Sequence, residues 1–465
     1  VIALVAVGLL TSKSYADVQN IRLSGDIRIR GYFLSKADFG NDADNQFITQ
    51  RTRVTCEADL EDHVLAVVTL RAEGMWGAEN ESIEGSAGAG ALPIGLFRIN
   101  RGFDVGINEA YVQLSEVFYT PATLKIGRQY LNYGNGLIIS SAEGEYNFDA
   151  VRLVLDYYPL TIDLVYAKSF EGSVFGLGGG YGAGSLTSLL GIGGDTGDAN
   201  MLFLNARYEL TDSLVKDVEM YFGFMDNGVN LGKIGPIPLT TVPWVPPTAL
   251  GASPLIVGMR TDLNLTKNLN AWFEGAYEWG TDGSLLTETI SAGLINAGLR
   301  FSVKDCQWTP TFNATYTYAT GGGDEGQHYF RPWFDYRDGY NGYVFHPMLS
   351  NIHILNVGAA VKPAKNTTLA VQAYYYIKAD ADGFAFSNPN VDTGLTGMIA
   401  ANTRAEVGWE LDAILGYDYS KDVRCQLVYG VFIPEKGIRE TALPIVGGQC
   451  SAVAHGLRGE INVKF

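Results

Sequence analysis

A chain of 465 residues is long for one soluble domain, but a closed membrane sheet escapes that limit because its size grows with strand number. Charged residues make up only 18%, against roughly 25% in soluble domains, while Gly (56 residues) and aromatics (12%) are abundant. A net charge of −17 argues against a nucleic-acid partner, which needs a basic footprint, and beyond the N-terminus no stretch approaches the roughly 18 apolar residues of a membrane-spanning helix.

The N-terminus opens with an apolar run, Val1–Leu10, followed by Ser14-Tyr15-Ala16, the pattern of a secretion signal and its exit site. Residues 1–16 are therefore expected to be a signal peptide and residues 17–465 the mature barrel; a short buried helix is the competing reading. The basic region and initiator Met of such a signal are missing, so the sequence is expected to be truncated there. Four scattered cysteines, Cys56, Cys306, Cys425 and Cys450, permit a disulfide but form no zinc or haem-attachment motif.

From residue 22 onward the dominant signal is period-two alternation, which places successive side chains on opposite faces of a strand. In 22–34, Leu23, Ile27, Ile29 and Phe33 oppose Arg22, Asp26, Arg28 and Arg30. In 51–60, Val54, Cys56, Ala58 and Leu60 oppose Arg51, Arg53, Glu57 and Asp59. The same pattern runs through 201–210, 294–303, 308–318 and 406–418. About eighteen such segments are predicted, near 22–34, 48–60, 63–76, 105–117, 121–131, 148–158, 161–169, 201–210 and 214–225, then 254–265, 268–279, 289–303, 307–319, 351–363, 367–378, 405–419, 423–433 and 456–465. Most are long enough for a tilted strand to cross the hydrocarbon layer.

The connections alternate in length. Glu61-Asp62, Thr211–Ser213, Lys304–Cys306, Pro363–Asn366 and Ser420–Asp422 are among the short ones, and these alternate with long loops near 35–47, 77–104, 132–147, 170–200, 226–253, 280–288, 320–350, 379–404 and 434–455. That asymmetry predicts an all-β, transmembrane antiparallel β-barrel with short periplasmic turns and long extracellular loops, in the outer membrane of a Gram-negative cell. Lipid offers the backbone no partners, so a spanning sheet must close on itself, apolar face to the bilayer and polar face inward. The final strand ends in Phe465, which resembles the insertion signal read by the outer-membrane assembly machinery. Tyr157, Tyr158, Tyr166, Trp279, Trp308 and Trp409 are candidates for the interfacial aromatic belts.

A more specific likeness lies in residues 108–158. Asn108-Glu-Ala-Tyr-Val-Gln-Leu114, then Leu124-Lys-Ile-Gly-Arg-Gln129 with Tyr133-Gly134, then Phe148-Asp-Ala-Val-Arg-Leu153 resemble the alginate-export family of outer-membrane proteins. The resemblance implies an eighteen-stranded monomeric barrel with an arginine-rich channel for an anionic polysaccharide. It also implies Glu109, Arg128 and Arg152 as lumen residues near the constriction. Arg152 fits by phase. Arg128 shares parity with Leu124 and Ile126, so it reaches the lumen only if a bulge forms near Gly127; otherwise it belongs near the rim.

The inward phase is rich in arginine: Arg28, Arg30, Arg51, Arg53, Arg71, Arg152, Arg207, Arg260, Arg300, Arg424 and Arg458. Guanidinium groups stay charged and bind carboxylates in a fork, so a ladder of them favours anions. Acids share that phase, crowding the predicted strands 214–225, 268–279 and 405–419, while 22–34 and 48–60 are basic. Pairing between the two across strands braces the wall and competes with a direct solute role. Among the loops, 171–195 is Gly-rich and either folds inward to restrict the pore or stays outside. Asn41–Asn45 and Asp380–Asp382 offer oxygens to Ca²⁺, although solvated acidic turns read the same way; no other cofactor is expected. The aromatic loop 328–346 is expected to pack rather than to stack on sugars. None of the five histidines sits in a nucleophile motif, so an enzyme is not expected. The expected function is passive passage of polar, anionic solutes such as an alginate-like polysaccharide or oligosaccharide. A general or small-substrate porin, or the barrel scaffold of a larger outer-membrane complex, is the alternative.

Overall fold

The computed structural model describes residues 18–36, 44–60, 63–77, 103–141, 147–170, 199–210, 214–227, 253–281, 289–322, 328–330, 333, 341–383, 385–386, 398–399, 404–439 and 452–465. Residues 1–16, expected to be a signal peptide, the 171–195 loop, Asn41–Ala43, the Glu61-Asp62 and Thr211–Ser213 turns, and Cys450 lie outside the described residues.

Alternating sequence becomes strand. The first six are β1 (Val18–Ser35), β2 (Asp44–Leu60), β3 (Val64–Met75), β4 (Val105–Leu114), β5 (Ala122–Gln129) and β6 (Phe148–Tyr157). Next come β7 (Leu160–Phe170), β8 (Ala199–Glu209), β9 (Val215–Asn227), β10 (Ser253–Asn264), β11 (Leu269–Thr281) and β12 (Thr289–Ser302). After β13 (Thr311–Ala319), β14 (Ile352–Ala364) and β15 (Thr367–Ile377), a two-residue ribbon, β16 (Ala385–Phe386) with β17 (Met398–Ile399), stands apart from the main sheet. The last three are β18 (Glu406–Asp418), β19 (Val423–Pro434) and β20 (Ala454–Lys464).

Each main-sheet strand pairs antiparallel with the next, and β20 returns to β1 from Asp26↔Lys464 to Ser35↔His455, closing an 18-stranded barrel. At the seam Gly25 and Phe465 exchange both backbone hydrogen bonds, at 2.8 and 3.0 Å. All eighteen expected segments form strands. The segment expected at 307–319 starts later, at Thr311, because Trp308 and Thr309 adopt positive φ and Pro310 has no donor for the ladder. Similarly β4 stops at Leu114, ahead of a turn with positive φ at Glu116, Phe118 and Tyr119.

The two faces separate as the alternation requires. On β14, Leu355 and Val357 are exposed on the outside, whereas Ile354, one position before Leu355, is buried within. Outward apolar residues recur on every main-sheet strand, as an acyl environment demands. Val357→Arg near the middle of β14 is expected to destabilise the barrel by about 2–4 kcal/mol, the midplane cost of a cation facing lipid. Urea unfolding in vesicles measures this, and a loss well under about 1 kcal/mol would contradict a lipid-facing position.

The interior is not an open tube. Leu131, Leu137, Ile138, Ile139, Phe330, Trp333, Val344, Phe345 and Leu349 come from connections between strands, yet they belong to the buried apolar cluster with inward residues of the wall. Cys56, Cys306 and Cys425 are free thiols.

Candidate functional site

The basic sector of the lumen is built by β1, β2 and β3. Inward phase and register set Arg28 opposite Arg51, Asp26 opposite Arg53, and Arg53 opposite Arg71. Carboxylates hold this crowd together. Asp26 accepts from Arg51 (3.2 Å) and Arg53 (2.5 Å), Glu460 accepts from Arg30 (2.5 Å), and Glu73 pairs with Arg71 and lies 3.7 Å from Arg28. Arg28 and Arg51 are almost wholly covered, with side chains 3% and 1% exposed, whereas Arg53 and Arg71 keep 18% and 21% open to the lumen. The first pair braces the wall; the second keeps part of its guanidinium surface open to the lumen.

The sector continues on β5 and β6, where Lys125 and Arg152 are register partners. Lys125 sits 3.5 Å over the Tyr111 ring, and Arg152 forks onto Asp163 of β7 at 2.5–3.0 Å. Glu109 is buried on β4, where Thr69 donates to it at 3.3 Å.

The bulge is one strand earlier than the sequence reading allowed. Thr69 pairs with Glu109 and Leu70 with Ile107, so Asn108 is the extra residue in β4. It brings Asn108 and Glu109 to the inside together, and Asn108 donates to the Tyr130 hydroxyl. No register shift occurs in β5, so Arg128 keeps the outward phase of Ile126. The expected lumen role of Arg128 is thus corrected: it forks onto Asp149 at 2.8 Å and reaches the Ile107 carbonyl beside the bulge at 3.3 Å.

Two connections fold into the lumen and dock on wall carboxylates. The first, 130–141, carries its backbone along β7 to β12. Tyr133 donates to Asp163 (2.9 Å), Gly134 N–H to Glu219 (3.0 Å) and Asn135 N–H to Glu274 (2.7 Å). The Asn135 side chain accepts from Arg260 at 3.0 Å and donates to Asn296 at 3.3 Å. Burial beside Asp163 holds the Tyr133 phenol well above its ordinary range, so it remains a donor. Gly134 has φ +58 and touches the Glu274 carboxyl, where a Cβ would collide.

The second connection lies between β13 and β14. Trp333 donates to Glu278 at 3.1 Å. Three successive backbone N–H groups, of Tyr343, Val344 and Phe345, donate to Glu410 at 2.6, 2.8 and 3.0 Å, and the Tyr376 hydroxyl adds a fourth bond at 3.1 Å. Arg458 lies over the Tyr343 ring at 4.7 Å and donates to Gln426. The aromatic loop does pack: Tyr329, Phe330 and Trp333 are buried inside the barrel, while Tyr336 and Tyr340 lie outside the described residues.

Of the wall acids, Glu219 on β9, Glu274 and Glu278 on β11 and Glu410 on β18 are therefore occupied as loop anchors. Arg207 pairs with Asp217 (2.6 Å) and Arg260 with Asp262 (2.6 Å), bracing the same side. Arg424 pairs with Asp418 beside a short turn, at the rim. Arg300 lies on β12 over the Trp272 ring at 5.8 Å and forms no ion pair among the described residues. The Asp380–Asp382 turn closes on itself, with Asp382 N–H donating to Asp380. Lys378 donates to the Ala381 and Gly383 carbonyls, and burial pushes its ammonium below the ordinary range against the pull of both aspartates. Sequence reasoning missed Lys125, Asp163 and Asn135, and the anchoring roles of Glu274 and Glu410. The two consecutive polar residues Asn108-Glu109 inside an alternating strand were a readable sign of the bulge.

The alginate export family matches residues 19–442. No curated protein matches the sequence. Solved structures share the architecture over nearly the whole chain. Acinetobacter baumannii OccAB1 is 11% identical, with 98% of each chain covered and a TM-score of 0.57. Pseudomonas aeruginosa OpdQ is 11% identical, with 96% of this chain and 98% of that one covered at 0.53. The Pseudomonas aeruginosa outer membrane protein opdK is 9% identical, with 96% and 99% covered at 0.53. At these identities the likeness speaks for the fold.

Proposed function

We propose, because this chain belongs to the alginate export family and is an outer-membrane channel rather than an enzyme, that its solutes are anionic saccharides drawn past the basic sector of β1–β6. One observation carries this reading. Arg53, Arg71, Lys125 and Arg152 present partly open cationic groups, while Glu219, Glu274, Glu278 and Glu410 across the wall are engaged by the inward loops. The overall charge of −17 does not decide selectivity, because a permeating ion feels the groups nearest its path. The bilayer is the barrel's solvent; passage through the outer-membrane assembly machinery is part of the proposal.

The inward loops favour short oligosaccharides over a wide polymer path, because 130–141 and 341–351 both occupy lumen volume. Purified protein in a planar bilayer under a salt gradient is expected to show a reversal potential of anion-preferring sign, with current blocked by short uronate oligomers from either side. A cation-preferring potential would sink this reading.

A further inference from the structure

We propose that the lumen wall between Trp272 and Tyr374 is a subsite for a sugar acid of one or two rings, separate from the basic sector. The inference rests on the channel reading above and narrows its solute.

Register alone assembles the site. Trp272, Gly298, Thr315, Asn356 and Tyr374 form one inward row across β11–β15. Arg300, Asn313, Gly358 and Gln372 form the next row, on β12–β15. Two glycines make the floor. A Cβ at Gly298 would overlap the Trp272 ring, and one at Gly358 would overlap the Gln372 amide, so both side chains lie across their neighbours instead of standing into the pore. Trp272 is further fixed by its indole N–H on Asn296 at 2.9 Å. The result is a cleft lined by these aromatics, amides and Arg300, with Tyr343 of the docked loop on its border.

The chemistry of the lining names a ligand class. Asn313, Asn356 and Gln372 bond to one another at 2.8–3.3 Å and are only half-buried. Each amide has two donors and two lone pairs, so this mesh leaves both kinds of group for hydroxyls, which also donate and accept. Trp272 and Tyr343 supply apolar ring surface, and the almost wholly buried Tyr374 closes the far end. Arg300 is the only charged residue lining the cleft among the described residues, and no carboxylate there neutralises it. A polyhydroxylated ring with one carboxylate meets all three needs. From β11 to β15 the floor spans four strand spacings, roughly 19 Å of backbone, and the side chains at both ends shorten it to one or two rings.

The test uses the whole chain folded in detergent, with glucuronate as probe, glucose as its uncharged counterpart and acetate as a carboxylate without a ring. Titration calorimetry is expected to find glucuronate bound at least tenfold more tightly than glucose or acetate. Arg300→Gln is expected to weaken glucuronate at least tenfold. Asn313→Ala, which keeps the charge, is expected to weaken glucuronate and glucose alike. Retained heat-modifiable migration on gels certifies folding in each variant. Equal glucuronate affinity in folded Arg300→Gln, or equal binding of glucose and glucuronate to the unaltered protein, overturns the subsite. Neither result touches the anion preference assigned to β1–β6, which the reversal potential reads separately.

Discussion

Replacing Arg53, Arg71 and Arg152 together by Gln is expected to reverse the proposed anion preference of the channel to a cation preference. Each of these arginines shares a carboxylate, Asp26, Glu73 or Asp163, that would keep its charge after the substitution. The change is therefore more than a loss of three positive groups, since three partly compensated acids gain influence over the same stretch of lumen. A unit charge at contact is worth roughly 1 kcal/mol in bulk water and more where the wall excludes water, so each site shifts local ion concentration by about fivefold or more. The reversal potential under a salt gradient reads the sum. Arg28 and Arg51 are left in place because they are buried and brace the wall. An unchanged reversal potential in the folded triple variant would remove the basic sector from the selectivity argument.

The second large effect concerns the loop held by Glu410. Its carboxylate takes three consecutive backbone N–H groups and the Tyr376 hydroxyl, all away from bulk water. Hydrogen bonds to a charged group contribute about 1.5–3 kcal/mol each, and a buried donor left without a partner costs a comparable amount. Glu410→Ala is therefore expected to free the 341–351 segment from the wall, raising single-channel conductance and adding open-state noise. Glu410→Gln keeps one acceptor oxygen and is expected to fall between the two. Conductance and noise identical to the parent in a folded Glu410→Ala channel would show that the segment is held by its apolar contacts, Phe345 against Phe432 and Tyr376 and Val344 over Gly430 and Gly456, and not by the carboxylate.

The barrel was legible because lipid imposes one rule on every strand: apolar out, polar in, with no open edge. That rule leaves a mark in each segment, so all eighteen strands were found, with errors confined to ends such as Trp308-Thr309, where the backbone turns left-handed. The lumen was legible only in part. The basic character of β1 and β2 follows from phase, but whether an arginine is covered, like Arg51, or open, like Arg71, depends on packing that no single strand records. Arg128 followed its parity to the outside, because the bulge sits at Asn108 and resets β4 instead of β5. The inward loops were the hardest to foresee. They dock through backbone N–H groups, which every residue but proline carries, so the segments 134–135 and 343–345 hold no compositional trace of their partners. Glu274 and Glu410 were visible as inward acids; what they hold was not.

The seam between β1 and β20 also sets how the sheet can form. Every other ladder joins strands that follow one another among the barrel strands, so these can zip together locally. Arg30 and Glu460 meet across a sequence separation of 430, and their contact exists only once the circle is complete. The closing ladder therefore joins the residues farthest apart along the chain, and completing it carries the largest loop-closure cost of any ladder in the sheet. Until then β1 and β20 each offer a bare row of backbone groups, so an arrested intermediate is the species most prone to pair with a neighbouring copy.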